Sequence, residues 1–178
     1  MLRLFAALTV PRDVAERLQA LQAGLEGRIV PPENLHLTLA FFGEIDEARA
    51  EDLHAALQAV DGPAPMVTLD GVGAFGNSRP HAIYAAARPE PALIQLQSKV
   101  AQAGRRAGLA LEKRRFTPHV TLSRYKPGQL PPREAAKRIE ARAAFLARSF
   151  TAESFALHRS ELGRSGPSYT RLHDYPLA

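Results

Sequence analysis

Two segments of the chain share a short pattern in which a histidine is followed, two positions later, by a threonine. Residues 36–39 read HLTL and residues 119–122 read HVTL, and their first positions are 83 residues apart. The chain has six histidines, so composition alone would supply about a quarter of one His-x-Thr, and far fewer followed by Leu. The repetition therefore indicates a shared function for the two segments.

The separation of two residues between His and Thr is informative if each segment forms a β-strand. Successive side chains of a β-strand point to opposite faces. His36 and Thr38 therefore share one face of a predicted strand, and His119 and Thr121 share one face of another. If the two strands lie near each other, two imidazoles and two hydroxyls line one cleft.

Such a set of groups suits in-line displacement at phosphorus. Histidine titrates near neutral pH, so one imidazole can act as base while the other acts as acid. Threonine hydroxyls can hold the oxygens of the phosphate. A metal is not expected, because the motifs contain no carboxylate or cysteine and two imidazoles leave a divalent ion under-coordinated. We therefore expect neither a metal nor another cofactor.

Residues that follow the motifs are candidates for contacts with a nucleotide. By strict alternation Phe42 lies on the His36 face and Tyr125 on the His119 face, where an aromatic ring can stack on a base. Core packing is an equal alternative for Phe42. Arg124 falls on the opposite face, so it reaches a phosphate only if the strand twists or bulges. The remaining histidines are interpreted as structural: His54, His81, His158 and His173.

The surrounding pattern predicts the elements that position these residues. Strands are predicted at residues 2–9, 35–42, 66–72, 81–87, 116–125, 149–158 and 168–175. Helices are predicted from Pro11, from the N-cap Asp46 to Gly62, from Pro91 to Gly108, and over residues 133–145. The order lacks a regular strand–helix–strand repeat. We therefore expect an α+β fold with antiparallel sheets and helices packed on one side.

Length and composition limit the class of protein. The chain has 178 residues, of which 46% are hydrophobic and 23% charged, as is typical of one soluble globular domain. No apolar run approaches the roughly 18 residues of a membrane helix, and the apolar opening is interpreted as a strand rather than a signal segment. We therefore expect a cytoplasmic protein with no membrane partner. The absence of cysteine excludes disulfides, thiolate nucleophiles and cysteine-ligated metals.

The charge of the chain is compatible with a phosphate-containing ligand. The formal net charge is +5, and 19 of the 23 basic residues are arginines. A guanidinium pairs bidentately with phosphate, which favours a nucleic acid as ligand. The alternative is that a GC-rich coding sequence produces the arginines together with the abundant alanines.

The motifs resemble those of a known family. Paired His-x-Thr strands are the hallmark of the 2H phosphoesterases, and the chain is similar to the bacterial RNA 2′,3′-cyclic phosphodiesterases of that superfamily, also called 2′-5′ RNA ligases. The resemblance covers nearly the whole chain and includes residues 2–7, 34–39, 42–44, 73–75, 79–80, 116–122, 124, 160–162 and 165–169. It departs at Tyr84, where relatives often carry Trp.

The resemblance implies a single bilobal domain over residues 1–178, with pseudo-two-fold symmetry and two antiparallel sheets that face a central cleft, with helices outside. It implies hydrolysis, without metal, of a 2′,3′-cyclic phosphate on RNA to a 2′-phosphate. His36 would donate a proton to the departing 3′ oxygen, and His119 would accept one from the attacking water. Thr38, Thr121 and Arg124 would bind the phosphate oxygens. Reversal with a 5′-hydroxyl RNA end would give 2′-5′ ligation. We expect a monomer that acts on RNA ends such as those of tRNA fragments.

Two other hypotheses remain open from the sequence. One keeps the chemistry and changes the substrate to a small nucleotide, such as an ADP-ribose cyclic phosphate, or to a 2′-5′-linked oligonucleotide. The other is a non-catalytic module in which the histidines only grip an RNA end. A pure binder has no need of two titratable pairs, whereas catalysis by paired imidazoles predicts a bell-shaped dependence of rate on pH.

Overall fold

Ten strands and four helices form the regular structure, in a computed structural model that describes all residues from Met1 to Ala178. The strands are β1 (Leu2–Thr9), β2 (Arg28–Ile29), β3 (His36–Ile45), β4 (Met66–Val67), β5 (Leu69–Phe75), β6 (Ala82–Ala87), β7 (His119–Arg124), β8 (Phe150–Thr151), β9 (Ser154–Gly163) and β10 (Gly166–Pro176). The helices are α1 (Arg12–Gln22), α2 (Glu47–Gln58), α3 (Pro91–Arg106) and α4 (Pro132–Glu140). A 3₁₀ turn, Pro32–Asn34, precedes β3.

Eight of the strands form one antiparallel sheet, and β4 and β8 form a second, small one. The order in the large sheet is β10-β9-β1-β3-β7-β6-β5, and β2 also pairs with β7. The predicted α+β class with antiparallel pairing is confirmed. The two antiparallel sheets that the resemblance implied are present as two four-stranded halves, which the structure joins into one sheet. The join is narrow, because β3 and β7 pair only at Leu37 and Val120.

The helices pack on one face of this sheet. Leu4, Ala6 and Leu8 of β1 point to that face and belong to a core of 37 buried hydrophobic residues, which also includes Leu18 of α1 and Leu53 of α2. Burying each leucine contributes about 1.5–3 kcal/mol. The opposite face carries no helix, so it is free to hold polar side chains. None of the four helices combines the length and apolar character needed to cross a bilayer.

The predicted helix signals are present at the ends of α2 and α3. The Asp46 carboxylate accepts a hydrogen bond from the Arg49 amide at 2.8 Å, as an N-cap should. The Arg49 guanidinium also donates to the Gly108 carbonyl at 2.8 Å, which ties the two helices together. Gly108, with φ of +79°, follows the end of α3. The sequence analysis missed β2 and the distal parts of β9 and β10, which extend the predicted strands 149–158 and 168–175 into a long hairpin with its turn at residues 163–166.

Candidate active site

The two motifs lie side by side at the junction between the halves of the sheet. Leu37 and Val120, each placed between the His and the Thr of its motif, are opposite each other in antiparallel register. The same register sets each motif histidine opposite the threonine of the other motif. Leu37 and Val120 are fully buried, whereas the histidines and threonines are half-buried. The four groups therefore occupy the face without helices, as the alternation predicted.

A β-bulge follows the threonine in both motifs. Between β1 and β3 the register shifts at Leu39, because Ala6 pairs with Ala40 and Ala7 with Thr38. Between β6 and β7 it shifts at Leu122, because Ile83 pairs with Ser123 and Tyr84 with Thr121. An extra residue reverses the alternation of all side chains that follow it. The bulges therefore decide which later residues reach the cleft.

Arg124 reaches the cleft because of the bulge in β7. Together with Arg28 of β2, it lines the same cavity as both motifs. The other wall is formed by the β9–β10 hairpin, from Ser165 to Pro167, and by Tyr169. No carboxylate lines the cavity. Its charged groups are cationic or titratable, which suits an anion such as phosphate.

His36 sits among three aromatic rings. The Phe5 and His158 rings lie nearly parallel to it, with centroids at 5.2 and 5.4 Å, and the Tyr169 ring is tilted at 5.0 Å. His158 is 8% exposed and does not line the cavity. Burial lowers the pKa of His36 to about 3, and the positive charges of His158 and Arg171 add to the effect.

His119 has a similar aromatic frame and one additional hydrogen bond. The Phe75 ring meets it edge-on at 4.8 Å, and the Tyr84 ring is tilted at 5.2 Å. Its Nδ1 lies 2.6 Å from the Thr117 carbonyl oxygen, which can only accept, so Nδ1 carries the proton. Burial lowers the pKa of His119, the Thr117 hydrogen bond opposes that shift, and Arg124 adds to it. The ring nitrogen left to exchange a proton is Nε2.

Both pKa shifts favour the neutral form of the imidazole near pH 7. A neutral imidazole can accept a proton, but one of the pair must gain a proton before it can act as an acid. A bound anion would stabilise the protonated imidazole, because a nearby negative charge raises the pKa of the ring. The charge of a ligand in the cleft and the protonation of the two imidazoles are therefore coupled.

The aromatic candidates Phe42 and Tyr125 do not reach the cleft, and their prediction as base contacts is wrong. Phe42 is 6% exposed and belongs to the core, where it packs against α3 so tightly that a Cβ on Gly104 would lie 2.8 Å from its ring. Tyr125 is 7% exposed, and its hydroxyl accepts a hydrogen bond from Ser123 Oγ at 3.0 Å. In both strands the bulge turns these positions toward the helices.

Phe41, rather than Phe42, lies on the sheet face that carries the motifs, although it does not line the cavity itself. It is 48% exposed, and the Arg3 guanidinium lies over its ring at 4.8 Å. Arg3 shares a face of β1 with Phe5, which stacks on His36, so Phe41 is on the cleft face. A usable signal existed in the sequence, because Phe41 follows its motif histidine by five residues, as Arg124 does.

The fold and the paired His-x-Thr strands define a 2H phosphoesterase. Residues 10–164 match the model of the 2′-5′ RNA ligase superfamily, and the chain belongs to that family. It is 29% identical to the RNA 2′,3′-cyclic phosphodiesterase of Archaeoglobus fulgidus, over 96% of this chain and 98% of that protein. It is 31% identical to the protein of the same name from Thermus thermophilus, over 99% and 90%. The crystal structure of Escherichia coli LigT with 3′-AMP superposes with a TM-score of 0.80 at 29% identity, covering 99% of this chain and 98% of that chain.

Proposed function

We propose that this chain is an enzyme that hydrolyses the 2′,3′-cyclic phosphate ends of RNA to 2′-phosphomonoesters, without a metal. The observation that carries the proposal is the juxtaposition of two His-x-Thr strands at the floor of a cleft that lacks carboxylates. Relatives at 29–31% identity over nearly the full chain are named RNA 2′,3′-cyclic phosphodiesterases. A protein that only binds RNA does not require two His-x-Thr motifs, whereas acid–base catalysis does.

The reaction divides the work between the two imidazoles. His119 Nε2 accepts a proton from a water molecule whose oxygen attacks phosphorus, and its Nδ1–H bond to Thr117 holds the tautomer that this role requires. The bond from phosphorus to the 3′ oxygen breaks, and that oxygen takes a proton from His36. Burial makes a protonated His36 a strong acid, and the charge of the bound phosphate favours its protonation beforehand.

The remaining polar groups of the cleft stabilise the phosphate. Thr38 and Thr121 can donate hydrogen bonds to its non-bridging oxygens, and Arg124 can pair with them bidentately. No group of three or more His, Cys, Asp or Glu residues is placed to hold a metal ion, and the proposed mechanism uses protein groups alone. If the 5′-hydroxyl of a second RNA replaces water as the nucleophile, the same cleavage of the bond from phosphorus to the 3′ oxygen gives 2′-5′ ligation, as the family description suggests.

The test is hydrolysis of an oligoribonucleotide with a 2′,3′-cyclic phosphate end in the presence of EDTA. We expect turnover to a 2′-phosphate, with kcat reduced about 10²–10⁴-fold in both His36→Ala and His119→Ala. His173→Ala, which removes an exposed histidine of β10 outside the cavity, is the control. Full activity in either motif variant would contradict the two-histidine mechanism, and loss of activity with EDTA would contradict the metal-free one.

A substrate with a sulfur atom in place of the 3′ bridging oxygen separates the two roles. A thiolate leaves without being protonated, so His36→Ala should lose little activity on this substrate. His119→Ala should remain defective, because the attacking water still needs a base. The opposite pattern would exchange the assigned roles of the two histidines.

A further inference from the structure

Arg28 places a second cation at the mouth of the cleft, beyond the groups used in the mechanism. It belongs to β2, where it pairs in register with Arg124, and it lines the same cavity. Five positions, one of them the extra residue of the bulge, separate Arg124 from His119. The Arg28–Arg124 row therefore lies about 13 Å along the strand from His119, at roughly 3.3 Å per residue.

The side chains of Arg28 and Arg124 serve different parts of the cleft. The charge of Arg124 lowers the pKa of His119, whereas Arg28 has no such effect on either motif histidine. Arg28 instead runs to the β9–β10 hairpin, where its Cδ and Nη1 lie 3.5 and 3.6 Å from the position that a Cβ on Gly166 would occupy. It thus spans the mouth from one half of the sheet to the other.

Arg28 is not engaged with any protein carboxylate. Seven other arginines form ion pairs with Asp or Glu, and no carboxylate lines the cavity. An exposed guanidinium held against a hairpin and left without an anionic partner is available to a ligand. Its planar donors match the oxygens of a phosphodiester.

We propose that Arg28 binds the phosphodiester on the 5′ side of the terminal nucleotide, so that the enzyme prefers an oligoribonucleotide to a nucleoside 2′,3′-cyclic phosphate. The inference rests on the proposed function, which sets the cyclic phosphate between the motif histidines. A strand anchored there must leave through the mouth, and its next phosphate then passes the rim where Arg28 lies. The subsite thus recognises the RNA backbone and carries no base specificity.

The experiment compares cytidine 2′,3′-cyclic phosphate with a dinucleotide that carries the same end. In the wild type, we expect kcat/KM to be higher for the dinucleotide. Arg28→Ala should lower kcat/KM for the dinucleotide about 10-fold or more, the value of a hydrogen bond to a charged group, and change the mononucleotide by less than about twofold. Arg28→Lys should recover part of the loss, because it keeps the charge without the planar fork.

Salt dependence and a matched arginine variant complete the test. Arg28→Ala should reduce the slope of log affinity against log salt by about 0.7 for the dinucleotide, one phosphate contact on a single strand. Arg105→Ala, at the exposed end of α3, should leave the slope unchanged. Equal losses on both substrates, or no wild-type preference, would overturn the subsite. If the wild type hydrolyses neither substrate, the proposed function fails instead, and binding of the dinucleotide 2′-phosphate to wild type and Arg28→Ala then decides the subsite.

Discussion

At the scale of the residue, one hydrogen bond distinguishes two imidazoles that otherwise have similar frames. Each motif histidine is held by one Phe and one Tyr ring. Only His119 donates Nδ1–H to a backbone carbonyl, that of Thr117. The bond fixes the tautomer of His119, while His36 has a second imidazole, His158, stacked beside it. A pair that is nearly symmetric in sequence is therefore asymmetric in its electrostatics, as division into base and acid requires.

Substitution of the adjacent residues Phe41 and Phe42 should affect different properties. Loss of the Phe41 ring should weaken substrate binding, and loss of the Phe42 ring should lower stability. Phe41→Ala should raise KM for the oligonucleotide about 5–100-fold, because stacking of a base on an aromatic ring contributes about 1–3 kcal/mol. Its free energy of unfolding should change by about 0.5 kcal/mol or less, since the ring is 48% exposed. Phe42→Ala should instead lower the free energy of unfolding by about 3–5 kcal/mol. Urea unfolding and steady-state kinetics of both variants measure this contrast; a KM unchanged in Phe41→Ala would remove that ring from the substrate site.

The positions of the motif residues are more predictable from the sequence than those of the residues that follow them, for a physical reason. His36, Thr38, His119 and Thr121 precede the bulges, so simple alternation places them correctly. The bulge reverses the faces of the residues that directly follow it, so alternation alone places Phe42 in the cleft and Arg124 away from it, and only the family resemblance points to Arg124. A bulge depends on pairing with another strand, and the sequence of one strand does not reveal it.

At the scale of the element, the two halves of the sheet position their motifs in the same way. β3 and β7 each carry their motif at the N-terminal end, bulge at the leucine that follows the threonine, and meet only at Leu37 and Val120. The strands beyond them supply the rings that hold the histidines. β1 and β10 provide Phe5 and Tyr169, while β5 and β6 provide Phe75 and Tyr84. Neighbouring strands thus act as positioning elements for the reacting groups.

The contact between β5 and β6 provides a test of this positioning. Gly73 is opposite Tyr84 in register, and a Cβ at Gly73 would lie 2.6 Å from Cζ of that ring. Gly73→Ala must therefore displace the ring from His119, and we expect kcat to fall about 10-fold, since small misplacements are costly in catalysis. The fold should survive, at a cost of about 1–3 kcal/mol from overpacking.

A double-mutant cycle with Tyr84→Leu shows whether the effect of Gly73→Ala passes through that ring. In the Tyr84→Leu background the added methyl group has space, so Gly73→Ala should produce little further loss of kcat. Losses in kcat that simply add would show that Gly73 acts by another route. Circular dichroism and urea unfolding of all the variants separate a shift of the ring from a loss of structure.

The sequence analysis missed the elements whose residues show no alternation of apolar and polar side chains. β2 has two residues, too few to show a period, and pairing with β7 alone defines it. The distal parts of β9 and β10 are largely exposed, so their side chains carry no hydrophobic pattern. Both of these missed elements form the mouth of the cleft. The core-facing strands and the helices were predictable because burial imposes their period.

At the scale of the whole molecule, stability and reactivity are divided between the two faces of one sheet. The face with helices holds the hydrophobic core, and the opposite face holds the titratable groups. The division is incomplete, because His36 is half-buried and His158 is buried on the cleft face, and burial lowers their pKa values to about 3 and about 4. An unfolded chain would bind protons at both residues near the ordinary value of 6.5.

The fold should therefore lose stability in mild acid, and His158 offers a way to measure it. Between pH 6.5 and about 4 the unfolded chain binds more protons at His158 than the folded chain, so the free energy of unfolding falls as the pH falls. Arg171 opposes protonation of His158 and Asp174 favours it, while the rings of Phe5 and His36 pack against it.

His158→Phe keeps a flat ring in the stack and removes one of these proton sites. From pH 7 to pH 5 the wild type should lose about 1 kcal/mol more stability than the variant, after allowance for solvent screening. Above about pH 8 the two stability curves should run parallel, because neither the folded nor the unfolded state of the wild type then binds a proton appreciably at this position. Urea unfolding at half-unit pH steps measures the difference. Parallel curves throughout the acid range would show that the fold does not hold His158 neutral. In that case His158 could not be the group whose charge helps to lower the pKa of His36.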